Sequence, residues 1–240
     1  MREHIEKHHR DFVHLLDAIA VTDERGNSVE AQEGIENVCR AVEAQTQAGG
    51  KILAIGNGGS AVIASHIAVD YWKNGRMPAL AFNDGALLTC LGNDFGYEHV
   101  FEKPIEFFAR EGDVLFAISS SGRSENILRG ARAGRRRGCY VITLSGFGAD
   151  NPLRSLGTCN FHVPSHEYGA VEVAHQYICH CILDVIMQDR IDRVPAAAPI
   201  GEDGADELLG VGLPARAPTS GILSRRIRRE SRALAAAQSR

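Results

Sequence analysis

The chain has no excess of positive charge: 26 Lys and Arg stand against 30 Asp and Glu, a net charge of −4. That balance gives no electrostatic footing for a nucleic acid or an acidic membrane surface, so neither is expected as a partner. No uninterrupted apolar run approaches the length of a bilayer span, and the first residues, MREHIEKHHRDF, lack the apolar core of a signal peptide. A CxxC pair is also missing. Cys39, Cys90, Cys139, Cys159, Cys179 and Cys181 are scattered, mostly in apolar segments, and read as reduced core thiols of a cytoplasmic protein. There is no internal repeat. The Gly-x4-Gly-Lys-Ser/Thr phosphate loop is absent, and the glycines after Ile55 do not complete a dinucleotide fingerprint.

What is present is ordinary globular material, 44% apolar and 23% charged over 240 residues, enough for one well-buried domain with appendages. Ile5, Phe12, Val13, Leu15, Leu16 and Ile19 have helical spacing, and a second helix runs through Ile35, Val38, Cys39 and Val42 to Gly49-Gly50. TDERGNS, 22–28, is a polar break between them, so residues 1–50 read as a helical hairpin belonging to the same domain. From residue 51 the pattern changes. Apolar runs at 52–55, 79–82, 114–118, 140–144 and 160–163 alternate with helical segments at 60–73, 85–92, 98–109, 125–136 and about 168–188. Such alternation predicts α/β architecture, a parallel sheet covered by helices on both faces, over residues 51–192. Ligands of such sheets bind at the carboxyl ends of the strands. Residues 193–240 are rich in Ala, Gly and Pro and end in an Arg cluster at 225–232. They read as a largely disordered, solvated tail.

Four groups carry possible chemistry. GNGGS, 56–60, follows a strand: Gly56, Gly58 and Gly59 allow a tight turn and close approach to a ligand, and Ser60 is a candidate N-cap. In the helix that follows, His66 and Asp70 are four apart and share a face. Taken alone they read as a solvated pair. SSSGRSEN, 119–126, sits between a strand and a helix, where hydroxyls and free N–H groups make a phosphate cradle; Arg123 either adds charge there or faces solvent. Asn93 and Asp94, placed before the helix at 98, suit sugar hydroxyls or an N-cap. In EVAHQYICH, Glu172, Gln176 and His180 line one helical face, whereas His175 reads as a core residue. A His and a carboxylate on each of two helices supply a plausible set of ligands for Zn²⁺ or a related divalent ion, and equally suit acid–base catalysis.

GNGGSA (56–61), His66 with Asp70, GNDFGYEHVF (92–101), GDVLFAISSSGRSENIL (112–128), VITLSGFG (141–148) and the EVAHQYICH helix occur in an order and spacing that resembles the sugar isomerase (SIS) domain, and within it the sedoheptulose 7-phosphate (phosphoheptose) isomerases. The similarity runs from about residue 10 to 190. It implies a three-layer α/β/α sandwich with a five-stranded parallel sheet, a homotetramer, and active sites at subunit interfaces. It implies sugar contacts from Asn57, Gly58, Gly59 and Ser60 and further substrate contacts from Asn93 and Asp94. It places the phosphate on Ser119, Ser120, Ser121 and Ser124. Its metal and acid–base positions fall on His66, Asp70, Glu172 and His180, with one Zn²⁺ per site.

Two positions depart from the family pattern. Asp70 stands where Glu is usual, and Glu172 where Gln is usual. The expected activity is aldose–ketose isomerisation of a heptulose phosphate through an enediolate, with Asp70, or secondly Glu172, as base and His180 as acid. Isomerisation of another ketose phosphate and a non-catalytic sugar-phosphate-binding regulator are the alternatives.

Overall fold

The computed structural model describes residues 1–193, so the tail from residue 194 on, with its Arg cluster, lies outside the described residues. The elements in chain order are α1 (Arg2–Asp17), β1 (Ala20–Asp23), β2 (Ser28–Val29), α2 (Ala31–Gln47), β3 (Ile52–Gly56), α3 (Gly59–Lys73) and β4 (Ala79–Ala81). There follow α4 (Gly85–Phe95), α5 (Glu102–Phe108), β5 (Val114–Ser119), α6 (Glu125–Arg136), β6 (Tyr140–Ser145), β7 (Cys159–His162) and α7 (Tyr168–Arg193).

The five expected strands form a parallel sheet, β7-β6-β5-β3-β4. Its central strands are buried on both faces because alternate residues serve two separate cores. Ile52, Ala54, Val114, Phe116 and Ile118 point into one, with α2, α3 and α7. Leu53, Ile55, Leu115 and Ala117 point into the other, with α5 and α6. Continuous apolar runs are what a doubly covered parallel sheet requires. Strand order reverses between β3 and β5, so the loops leaving their carboxyl ends flank the crevice where α/β sheets bind ligands.

The N-terminal region departs from the expected helical hairpin. Between α1 and α2 the chain makes a β-hairpin that joins the sheet, β1 pairing antiparallel with both β2 and β7, for seven strands in all. The TDERGNS break is its turn. Asp23 Oδ1 accepts from the N–H groups of Arg25 (2.9 Å) and Asn27 (2.8 Å), and Gly26 takes φ +82°. Strands of four and two residues are too short to show a period of two against the helical spacing around them. The hairpin is tied down by Asn160 of β7, which is fully buried. Its Oδ1 accepts from Thr143 Oγ1 (2.7 Å) and Gly157 N (2.9 Å), and its Nδ2 donates to the carbonyls of Thr22, Asp23 and Gly157.

Helix α7 spans 26 residues and is long and apolar enough by composition to cross a membrane. Its residues Val171, Ala174, Ile178, Ile182 and Ile186 are instead part of the protein core, which leaves a face carrying Glu172, Gln176 and His180 at the margin.

Asn160→Leu removes the shared partner of a buried hydroxyl and several backbone groups. Leaving such groups unsatisfied costs about 3 kcal/mol, so we expect urea denaturation of this variant to show that loss as a lower midpoint with an unchanged slope.

Candidate active site

The glycine turn leaves β3 at Gly56. A Cβ there would lie 2.3 Å from the Ser60 carbonyl oxygen, and Gly58 has φ +53°, so the turn needs both glycines. Helix α3 starts one residue earlier than expected. Gly58 is its N-cap and Ser60, buried in the first turn, is not the cap. Asn57 in this turn pairs reciprocally with Asn126 in the first turn of α6. Each Nδ2 donates to the other's Oδ1 at 2.9 Å, and Tyr97 Oη donates to Asn57 Oδ1 at 3.0 Å. The glycine turn and the serine loop are therefore locked together at the switch point. Asn126 is buried; it ends the serine motif 119–126, but no role could be assigned to it because one Asn at a helix start carries no signal by itself.

The serine loop follows β5 with Gly122 at φ +62°. A Cβ on Gly122 would fall 2.0 Å from Asn151 Oδ1, so the buried Asn151 backs the loop. Ser119 and Ser120 are buried, and Ser120 Oγ has no hydrogen-bond partner. Ser121 Oγ accepts from Arg123 N at 3.3 Å. Ser124 occupies the N-cap of α6 without a capping bond from its side chain; the Ile127 N–H is taken by Asn126 Oδ1 at 3.0 Å, which leaves the Ser124 hydroxyl and the N–H groups of Glu125 and Asn126 available to an anion. Arg123 turns away to an exposed pair with Asp150, 2.7 Å apart.

Asn93 and Asp94 do not precede a helix. They lie in the last turn of α4, whose N-cap is Asp84, accepting from Leu87 N at 3.0 Å. Both are exposed; Asn93 Nδ2 donates to Asp94 Oδ1 at 2.9 Å, and Cys90 Sγ contacts Asp94 Oδ2 at 3.6 Å. The apolar positions Leu87, Leu88 and Leu91 carry the helix through to Phe95.

The two helices expected to meet do so. Tyr71, 1% exposed, donates its phenol hydrogen to the Cys179 carbonyl at 3.2 Å, and burial raises its pKa well above the ordinary value, which keeps the donor protonated. These residues immediately follow Asp70 and precede His180. As a result Asp70 Oδ2 stands 3.3 Å from His66 Nε2 and 3.7 Å from His180 Nδ1, with the two imidazoles edge to face at 5.3 Å. One donor atom from each residue lies within 4.8 Å of the others. Asn74 Nδ2 donates to Asp70 Oδ1 at 3.2 Å, and Gln176 Nε2 lies 2.6 Å from His180 Nε2.

Glu172 is not in this group. It lies two helical turns above His180, and its carboxylate rests where a Cβ on Gly59 would be, 2.5 Å from that point. At 1.5 Å per residue, eight residues separate the levels of Glu172 and His180 by about 12 Å. The four residues expected to meet thus divide into a cluster of three and a carboxylate beside the glycine turn. Shared helical face was the right inference, but shared depth was not.

The chain matches the SIS domain model over residues 19–146. It is 40% identical to the phosphoheptose isomerase of Helicobacter hepaticus over 144 residues, 58% of this chain and 73% of that protein. With the phosphoheptose isomerase of Aneurinibacillus thermoaerophilus it shares 32% over 192 residues, 78% of this chain and 93% of the relative.

The chain belongs to the SIS domain family.

The fold agrees. The solved phosphoheptose isomerase of Francisella tularensis superposes with a TM-score of 0.67 at 28% identity, over 78% of this chain and 98% of that one. Within this SIS domain His175, read as a core residue, is fully buried. Its Nε2 lies 3.1 Å from the Ser145 carbonyl, while Nδ1 has no partner. A carbonyl only accepts, so the proton sits on Nε2. Burial lowers the His175 pKa from 6.5 to about 4.

The unfolded chain therefore binds a proton in that window which the folded chain refuses, and stability falls as pH drops through it. We expect stability from urea titrations to be highest near pH 7 and to fall between pH 6.5 and 4 by up to about 3 kcal/mol. His175→Gln should make the curve shallower there, with His162, whose pKa burial also lowers, supplying part of the remaining slope.

Proposed function

We propose that the chain isomerises sedoheptulose 7-phosphate to a manno-heptose 7-phosphate through a cis-enediolate, supplying nucleotide-activated heptose synthesis. The observation that carries this is the meeting of His66, Asp70 and His180 between α3 and α7. An enediolate mechanism needs a base and an acid working on adjacent atoms, and Asp70 and His180 are 3.7 Å apart. The serine loop, with the unpartnered Ser120 hydroxyl and the open N-terminus of α6, suits the phosphate. Asn57, Gly58, Gly59 and Ser60 suit the sugar between the loop and the cluster. Gly59 lies about 10 Å above His66 by helical rise. A seven-carbon chain is itself roughly 8 Å long when extended, from its bond lengths, and its terminal phosphate extends the reach further.

The donor set fits a divalent cation. Zinc bonds of about 2.1 Å in tetrahedral geometry separate ligand atoms by about 3.4 Å. The pairs His66–Asp70 and His180–Asp70, at 3.3 and 3.7 Å, are already near that separation. Two imidazoles and a carboxylate with further positions open are a catalytic rather than a structural set. When bound, such an ion supplies Lewis acidity for polarising the sugar carbonyl.

Asp70 takes the proton from C1 of the ketose and returns it to C2, oriented by Asn74 on its other oxygen. His180 moves the proton between O1 and O2 through Nε2, the nitrogen that still exchanges a proton when Nδ1 faces the ion and that Gln176 holds between turnovers. Phosphate binding at the far end fixes the reacting carbons. Glu172, beside the glycine turn, is better placed to accept hydrogen bonds from sugar hydroxyls than to act as the base. Gly59 provides the room for its carboxylate.

Val62, Val69 and Trp72 on the outer face of α3 are exposed next to His66. An apolar stripe beside a reacting centre is well served by a second subunit that excludes water, and we propose a homotetramer with sites at its interfaces.

Incubation with sedoheptulose 7-phosphate and zinc in deuterated water should place deuterium at C2 of the aldose, read by NMR. Asp70→Asn should reduce exchange by about 10³-fold, within the range for loss of an acid–base group. Glu172→Gln should mainly raise KM, and chelation should abolish turnover. Exchange that survives Asp70→Asn but not Glu172→Gln would transfer the base role to Glu172. Full activity in chelator would remove the metal.

A further inference from the structure

We infer that Gln176 is a positioning residue for His180: its amide holds the imidazole in either neutral tautomer, so the ring keeps its place whether Nδ1 carries a proton or ligates a metal. This rests on the reading of His66, Asp70 and His180 as a divalent-ion site.

The two ring nitrogens of His180 face different partners. Nδ1 points to Asp70 Oδ2 at 3.7 Å, and Nε2 meets the Gln176 amide at 2.6 Å. A carboxylate only accepts. At 3.7 Å Nδ1 and Oδ2 are beyond hydrogen-bond range, yet a carboxylate facing Nδ1 favours an N–H there over a lone pair; without a cation Nδ1 therefore carries the proton, and the Nε2 lone pair accepts from Gln176 Nε2–H. A cation among the three residues needs the Nδ1 lone pair. The proton then belongs on Nε2 and requires an acceptor, and Gln176 supplies one by turning its amide half a revolution to present Oε1. Asp, Glu, Lys or Arg at this position would serve only one of the two states, because none both donates and accepts when ionised. Outer hydrogen bonds of this kind fix the tautomer and orientation of metal-binding imidazoles.

The placement follows from α7. Gln176 precedes His180 by one turn, so its side chain lies directly over the ring on the same margin of the helix. On the facing helix Asn74 does the corresponding task for Asp70, one turn further along α3, donating to Oδ1 at 3.2 Å and leaving Oδ2 to the two imidazoles. Each reacting group thus has one atom held by a neutral amide and the other turned into the cluster.

The test uses the full chain labelled with ¹⁵N-histidine, Gln176→Leu and Gln176→Glu variants, and zinc as the probe. In metal-free protein the His180 ring shifts should report the Nδ1–H tautomer, and zinc should convert them to Nε2–H. Gln176→Leu should leave the melting temperature near that of the parent. It should give a mixture of tautomers without metal, weaken zinc binding by about 10- to 100-fold in chelator competition, and lower kcat more than KM. Gln176→Glu, which keeps an acceptor, should recover zinc binding to within a few-fold of the parent. An Nε2–H tautomer in the metal-free parent, or unchanged tautomer and zinc affinity in Gln176→Leu, would overturn the proposal. A parent that binds no zinc would overturn the metal reading, while the metal-free tautomers of parent and Gln176→Leu would still decide whether Gln176 positions the ring.

Discussion

The packing of α3 on α7 is the constraint on which the site depends. Both helices bury one face in the same core, Ile63, Ala64, Ile67 and Tyr71 from α3 and Val171, Ala174, Ile178 and Ile182 from α7. Burying one such side chain is worth about 1.5–3 kcal/mol, whereas the Tyr71–Cys179 hydrogen bond contributes about 1 kcal/mol net. The apolar faces therefore hold the helices together and set their relative height, which the hydrogen bond reinforces. Because its two partners adjoin Asp70 and His180 in sequence, that height also sets the distance between those two side chains.

A second connection lies at the top of the sheet. The glycine turn and the serine loop leave neighbouring parallel strands and are tied by the Asn57–Asn126 amide pair. Asn151 supports the serine loop from behind through Ser145, Gly146 and Gly148. Polar groups buried in this way are costly unless satisfied, and here the satisfied ones form the frame. The Ser120 hydroxyl is one exception, and it sits in the loop proposed to take the phosphate. The two loops thus stand on the strand ends, and the His66, Asp70 and His180 cluster lower down on the margin of two helices.

Two substitutions relative to the family pattern acquire physical content in this frame. Asp70 is one methylene shorter than Glu, and a hydrogen bond from Asn74 and the approach of both imidazoles fix its shorter carboxylate. Glu172 lies outside the imidazole cluster, with its carboxylate in the space beside Gly59. Asp70 thus stays with the two imidazoles, while Glu172 stands at the glycine turn.

The parallel sheet, its order of elements and the glycine and serine loops at its strand ends were legible in the sequence because they rest on local pattern. Continuous apolar runs of four or five residues, glycines and serines at strand ends, and helical periodicity each show within a short window. The hairpin of β1 and β2 was not legible, since its strands are too short for a period to emerge and its partner β7 is some 140 residues away. Nor were the N-cap of α3 and the place of Asn93 and Asp94 inside α4, which depend on backbone angles at single residues. The sequence by itself determined which residues share a helical face: His66 with Asp70, and Glu172 with Gln176 and His180. Only the tertiary structure decided their depth, because the sliding of one helix along another is set by packing at distant positions. That packing brought His180 to Asp70 and left Glu172 at the glycine turn.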